Sequence, residues 1–218
     1  MDALPSPFLL LGGLSILAVA PFLAIMVSSY LKIVVVMFIL RNAIGLQQAP
    51  PTLAINGLAI ILSLFIMAPV GVASIDAFKS HNIELDDLQN PELYSAIGSS
   101  LEPVKNFLDR HSDKDEREFF VSTTKRLWPD DTAVNMDEQH ILVLMPSFVL
   151  SELKSAFQIG FLVYLPFIVI DLVVSNILLS MGMIMMSPIM ISLPFKILLF
   201  VMADGWTRLI HGLVLSYV

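Results

Sequence analysis

Long apolar runs and one polar stretch alternate along the chain. Residues 8–30 and 52–75 hold no charged side chain, and the largely apolar runs 155–180 and 188–203 hold only Asp171 and Lys196 as charges. The first three runs reach the roughly 20 residues that a helix needs to cross a bilayer. The pattern predicts an all-α membrane protein with four apolar helical segments, arranged as spans or as helical hairpins. It divides the chain into an N-terminal unit 1–75, with a basic connector 32–51 between its two apolar helices, an acidic helical insert 76–145 and a C-terminal unit 146–218.

The insert reads as helical. PELYSAIGSSLEPVKNFLDRH (91–111) spaces its apolar residues three and four apart, interrupted by Gly98 and Pro103. Ser112 is placed to cap a second helix, whose first turn holds Asp113, Asp115 and Glu116. Acids in a first turn complement the helix dipole. Phe119, Phe120, Leu127 and Trp128 supply an apolar side before Pro129. No stretch shows the alternation and turns of a strand hairpin. A small helical domain packed on the membrane helices or on neighbouring subunits is expected.

Composition sharpens this picture. Of 218 residues, 56% are hydrophobic and 14% charged, where a soluble domain carries about a quarter charged residues. Mean hydropathy is +0.82. Fifteen of the 19 acidic residues lie between Asp76 and Glu138, so the net charge of −7 belongs to the insert. It gives no reason to expect nucleic-acid binding. The absence of cysteine excludes disulfides and cysteine-ligated metal sites. No G-x-S-x-G, H-E-x-x-H or P-loop pattern occurs. His81, His111, His140 and His211 are scattered. Neither an enzyme nor a cofactor site is expected.

Residues 32–48 carry Lys32 and Arg41 and no acid. The positive-inside rule puts such a loop in the cytoplasm. The insert 76–140 then faces the other side, the periplasm of a Gram-negative cell. The apolar start has no Lys or Arg before Phe8, unlike a signal peptide, and Pro21 disfavours cleavage after Ala18-Val19-Ala20. The first segment is therefore expected to be retained.

The candidate functional residues gather in the C-terminal unit. Pro146 suits a first helical position. If the helix continues through Pro166, Ala156, Gly160, Tyr164, Phe167, Asp171 and Ser175 form one stripe. Small Ala156 and Gly160 permit close helix packing, and a charge at bilayer depth needs a partner. Asp171 and Lys196 are expected to pair, within or between subunits; a proton relay is the functional alternative. Glu152 and Lys154 are two apart and do not share a helix face, so intersubunit contacts are expected of them. Asp204 is a candidate cap or surface pair, and Trp206 and Tyr217 a candidate interfacial anchor. Met181, Met183, Met185 and Met186 form either a methionine face on a greasy helix, which composition alone favours, or a loop at 181–188, for which the flanking Gly182 and Pro188 argue. Methionine is unbranched and adaptable. Copies of such a loop around an axis would close a pore yet yield to a passing chain.

Several blocks carry a resemblance. SFVLSELKSAFQIGF (147–161), PFIVID (166–171), MGMIMMSP (181–188), PFKILLFVMADGW (194–206) and KIVVVMFILRNAIGLQQAPP (32–51) resemble the signature blocks of the SctR/FliP family, membrane proteins of the type III secretion export apparatus. The resemblance is weakest between about Asp76 and His140. It implies a channel-forming subunit that passes unfolded proteins across the bacterial inner membrane. It further implies a ring, a pentamer as in the family, partners of the SctS, SctT and SctU types, and a methionine gasket at Met181, Met183, Met185 and Met186. Flagellar members are expected to carry a cleaved leader, so the injectisome branch is favoured. A different reading of the same residues is a small secondary transporter or ion channel that uses Asp171 and Lys196. Such transporters show internal repeats, and 8–75 and 155–203 show no convincing similarity.

Overall fold

The computed structural model describes residues 7–46, 49–81, 91–128 and 136–218. Gln47 and Gln48 of the connector, and residues 82–90 and 129–135 of the insert with Pro129, lie outside the described residues. Eight helices follow in order among those described: α1 Pro7–Met26, α2 Tyr30–Ile44, α3 Thr52–Lys79, α4 Pro91–His111, α5 Lys114–Leu127, α6 Ile141–Ser180, α7 Pro188–Met202 and α8 Gly205–Leu215. No strand occurs among the described residues, so the fold is all-α.

The supposed connector is the centre of the molecule. Lys32 to Ile44 lie within α2, in which Ile33, Val36, Met37, Leu40 and Ala43 are wholly buried. A helix apolar on most sides is covered by protein or by lipid, and here α6 and α3, with α1 and α7, cover α2. Ile33, Val36 and Met37 pack with Ile55, Ala59, Ala156 and Leu213, and Leu40, Ala43 and Ile44 pack with Phe167. The helix ends at Gly45, whose φ of 90° returns its N–H to the Asn42 carbonyl. Lipid is as apolar as leucine, so helices in it associate through close fit. Gly160 of α6 provides that fit, because a Cβ there would overlap Ile39 Cδ1 and lie 3.1 Å from its Cγ2.

The expectation of a first helical position at Pro146 is corrected. α6 begins at Ile141, with His140 Nδ1 accepting the Leu142 N–H at 3.3 Å, and runs through both Pro146 and Pro166. At 1.5 Å per residue, its 40 residues extend about 60 Å, twice a hydrocarbon core of about 30 Å. Its first turns therefore have length to spare, and α4 and α5 of the insert pack on this helix. Phe107 and Leu108 of α4 join Leu144 and Phe148 of α6 in one cluster. The cap of α5 is Asp113 and not Ser112, one residue later than the spacing predicts.

Among the described residues, α3 and α6 are long and apolar enough to cross a membrane, and α7 with α8 makes a third if their 60° bend is one broken span. All four expected apolar segments are helical among the described residues, and a count of four spans is not confirmed.

Candidate functional site

The methionine loop is built by a helix stop and a helix start. Gly182 has φ +72°. Its N–H reaches the Leu179 carbonyl at 3.0 Å, and the Met183 N–H reaches Leu178 at 2.9 Å. These two bonds are the Schellman arrangement, which favours glycine at the left-handed position. Pro188 opens α7 at its first turn, where the missing N–H costs nothing. Between them every large side chain points outward. Met181, Met183, Ile184, Met185 and Met186 are all exposed, Met185 completely.

Behind the loop, the structure brings Asp171 and Lys196 together within one subunit. Lys196 Nζ lies 2.6 Å from Asp171 Oδ2, and Ser192 Oγ donates to Oδ1 at 2.6 Å. The same ammonium donates to the Ala43 carbonyl at 3.1 Å. That carbonyl belongs to the last turn of α2, where no intrahelical donor remains. Lys196 therefore fastens the α6–α7 hairpin to the C-terminal end of α2, where a cation also suits the helix dipole.

Glu152 and Lys154 point to different neighbours. Glu152 is buried, and its Oε1 accepts from Lys32 Nζ at 3.1 Å, with both side chains under 5% exposed. Its Oε2 accepts the hydroxyl of Tyr217. Lys154 is half exposed and donates to Asp113 Oδ2 at 2.8 Å, while Ser151 Oγ accepts the Asp113 N–H at 2.7 Å. The hydrogen bond from Lys154, and then its charge, hold the Asp113 carboxyl below the usual aspartate range. In the structure Glu152 and Lys154 both have partners in their own chain. Ala156 and Gly160 likewise pack within the chain, against α2. Asp204 precedes α8 in a left-handed conformation (φ 51°) and accepts from Thr207 Oγ1 at 2.9 Å. Its carboxylate caps no backbone N–H.

Three residues of these networks escape sequence reasoning. Lys32 reads as a loop charge for the positive-inside rule, yet it is a buried ion-pair partner. Tyr217 reads as an interfacial anchor, yet it is 8% exposed. Ser192 carries no signal beyond its place four residues before Lys196.

Comparison with known proteins covers nearly the whole chain. The model of the FliP family matches residues 13–213. The chain is 51% identical over 217 residues to "Yop proteins translocation protein R" of Yersinia pestis, covering all of this chain and 99% of that protein. It is 43% identical to "Virulence protein YscR" of Salmonella typhimurium, with 97% of each chain covered. It is also 43% identical to "Hypersensitivity response secretion protein HrcR" of Ralstonia nicotianae, over 92% of this chain and 93% of that protein. A family model spanning nearly the whole chain, and relatives aligned end to end, leave one conclusion: the chain belongs to the FliP family, and its similarity within it is to the injectisome type.

Proposed function

We propose that this protein is the channel-forming subunit of a type III secretion export gate. Its place in the FliP family makes it a protein of the secretion apparatus and not an enzyme. Beyond that, several copies, about five as the family resemblance implies, assemble around a lumen. Unfolded effector proteins pass through this lumen across the inner membrane. The loop 181–188 is its constriction, and the insert 76–140 lies on the periplasmic side. Small membrane subunits of the SctS and SctT types, and a switch protein of the SctU type, join it. Energy comes from outside the subunit.

The observation that carries this reading is the loop itself. Five large apolar side chains stand exposed at a helix–loop–helix tip, Met185 fully so. Exposed apolar groups of this extent mark a contact surface. Copies around an axis would bury them against one another, and methionine's soft, flexible chain suits a seal that must part and close again. The transporter reading fares worse, because Asp171 and Lys196 are both engaged in fastening helices.

The first test is the native mass of the detergent-purified complex with its co-purifying subunits identified. A ring of about five copies with small hydrophobic partners is expected; a clean monomer or dimer would overturn the ring. The second test replaces Met183, Met185 and Met186 together by Ala. Assembly should persist while small ions leak across the membrane. A tight, normally secreting triple variant would remove the constriction from these positions.

A further inference from the structure

Tyr217 is the side chain in which three parts of the molecule meet. The turn that follows α8 delivers it, with its N–H bonded to the Val214 carbonyl at 3.1 Å. Its hydroxyl donates to Glu152 of α6. Lys32 Nζ of α2 stands 3.7 Å above its ring centroid. Two rings of the insert pack on it: Phe107, stacked at 6.1 Å and 16°, and His111 at 5.1 Å.

Each contact has its own chemical reason. A buried phenol needs an acceptor. Glu152 has one oxygen engaged by Lys32 and needs a donor for the other, since a buried carboxylate with a free oxygen is costly. The ammonium of Lys32 gains the negative face of a ring. Phe107 and His111 present the only aromatic rings of α4's last two turns to that same tyrosine. One side chain thus completes the buried ion pair and supplies part of the wall on which the insert docks, beside α3 and Leu144 and Phe148 of α6.

We propose that Tyr217 is a positioning residue that joins the insert to the buried Lys32–Glu152 pair, so that α4, α2 and the first half of α6 move as one body. The ring docks the insert, and the hydroxyl and ring together hold the pair. Neither the family match nor the residues of the methionine loop assign this role, and it stands whether or not the ring assembly proposed above is right.

The test uses the full-length purified protein and separates ring from hydroxyl. Amide hydrogen exchange is followed in α4 (residues 104–111), with α7 as the internal control. Acylation of buried lysines by an amine-directed reagent is followed in parallel. In Tyr217→Leu, exchange in 104–111 should rise by about tenfold or more, and Lys32 should become reactive. α7 and Lys196 should behave as in the wild type. Tyr217→Phe keeps the ring and should restore slow exchange in 104–111. The proposal is overturned if the Leu variant exchanges like the wild type. It is also overturned if the Leu variant loosens α7 and exposes Lys196 equally, since that is general loss of packing. Failure of the Phe variant to restore α4 overturns the assignment of docking to the ring.

Discussion

Lys196 Nζ sits 2.6 Å from Asp171 Oδ2, and the two residues come from the two arms of the α6–α7 hairpin. Both interrupt otherwise apolar runs, and each answers the other's charge. Lys196 is 4% exposed at its side chain and Asp171 32%.

Removing one partner should hurt more than removing both. Asp171→Asn leaves a buried ammonium without its counter-charge. Breaking a buried pair in this way costs about 3–5 kcal/mol, and the lower end applies because Asp171 is partly exposed. The double variant Asp171→Asn/Lys196→Met should recover most of that loss. Denaturation midpoints of the purified chain read the difference. Equal or additive damage in the double variant would mean that the charges do not act as a pair.

Gly160 and Ile39 should be coupled. Gly160→Ala forces the Ile39 side chain aside, and overpacking costs about 1–3 kcal/mol. A helix-propensity gain of up to about 1 kcal/mol offsets part of this. Combined with Ile39→Ala, the loss should fall below the sum of the single losses by about 1 kcal/mol. Strict additivity would show that the close approach of α2 and α6 does not depend on this glycine.

The loop glycine should rank its replacements by their tolerance of positive φ. Gly182 at +72° should accept Asn with a smaller penalty than Ala, and Ala with less than Val. The step from Gly to Ala is about 1–2 kcal/mol. Thermal midpoints of the four proteins test the order, and a flat series would mean that the loop relaxes to a different turn.

The bridge between insert and α6 should weaken in acid. Asp113 titrates below its ordinary range when folded, because Lys154 donates to it. A carboxylate with a depressed folded pKa contributes stability above its unfolded value of about 3.9. That contribution fades as pH falls through the lower folded value. Proteolysis of the insert in the wild type and in Asp113→Asn should therefore differ at neutral pH and converge in strong acid. Added salt should shrink the neutral-pH difference, since the pair is solvent-exposed. A difference that persists unchanged at low pH would assign the effect to something other than this charge.

Much of this protein is legible along the chain because local chemistry writes it. The apolar runs, the helical insert and the loop at 181–188 follow from periodicity, from Gly182 at a helix stop and from Pro188 at a helix start, each a matter of a few neighbouring residues. Sequence spacing also puts Ala156, Gly160 and Asp171 on one stripe of α6. What that stripe meets is a different kind of question. IVVVMFIL reads equally as an extension of a span, a hairpin or a connector, and only the packing of α3, α6 and α7 around it makes α2 the core. Lys32 and Glu152 are 120 residues apart, and Glu152 and Tyr217 are 65 apart. Burial is what turns these three from apparent loop, contact and anchor residues into one network, because a charge or phenol without water must find its partner in protein wherever along the chain that partner lies.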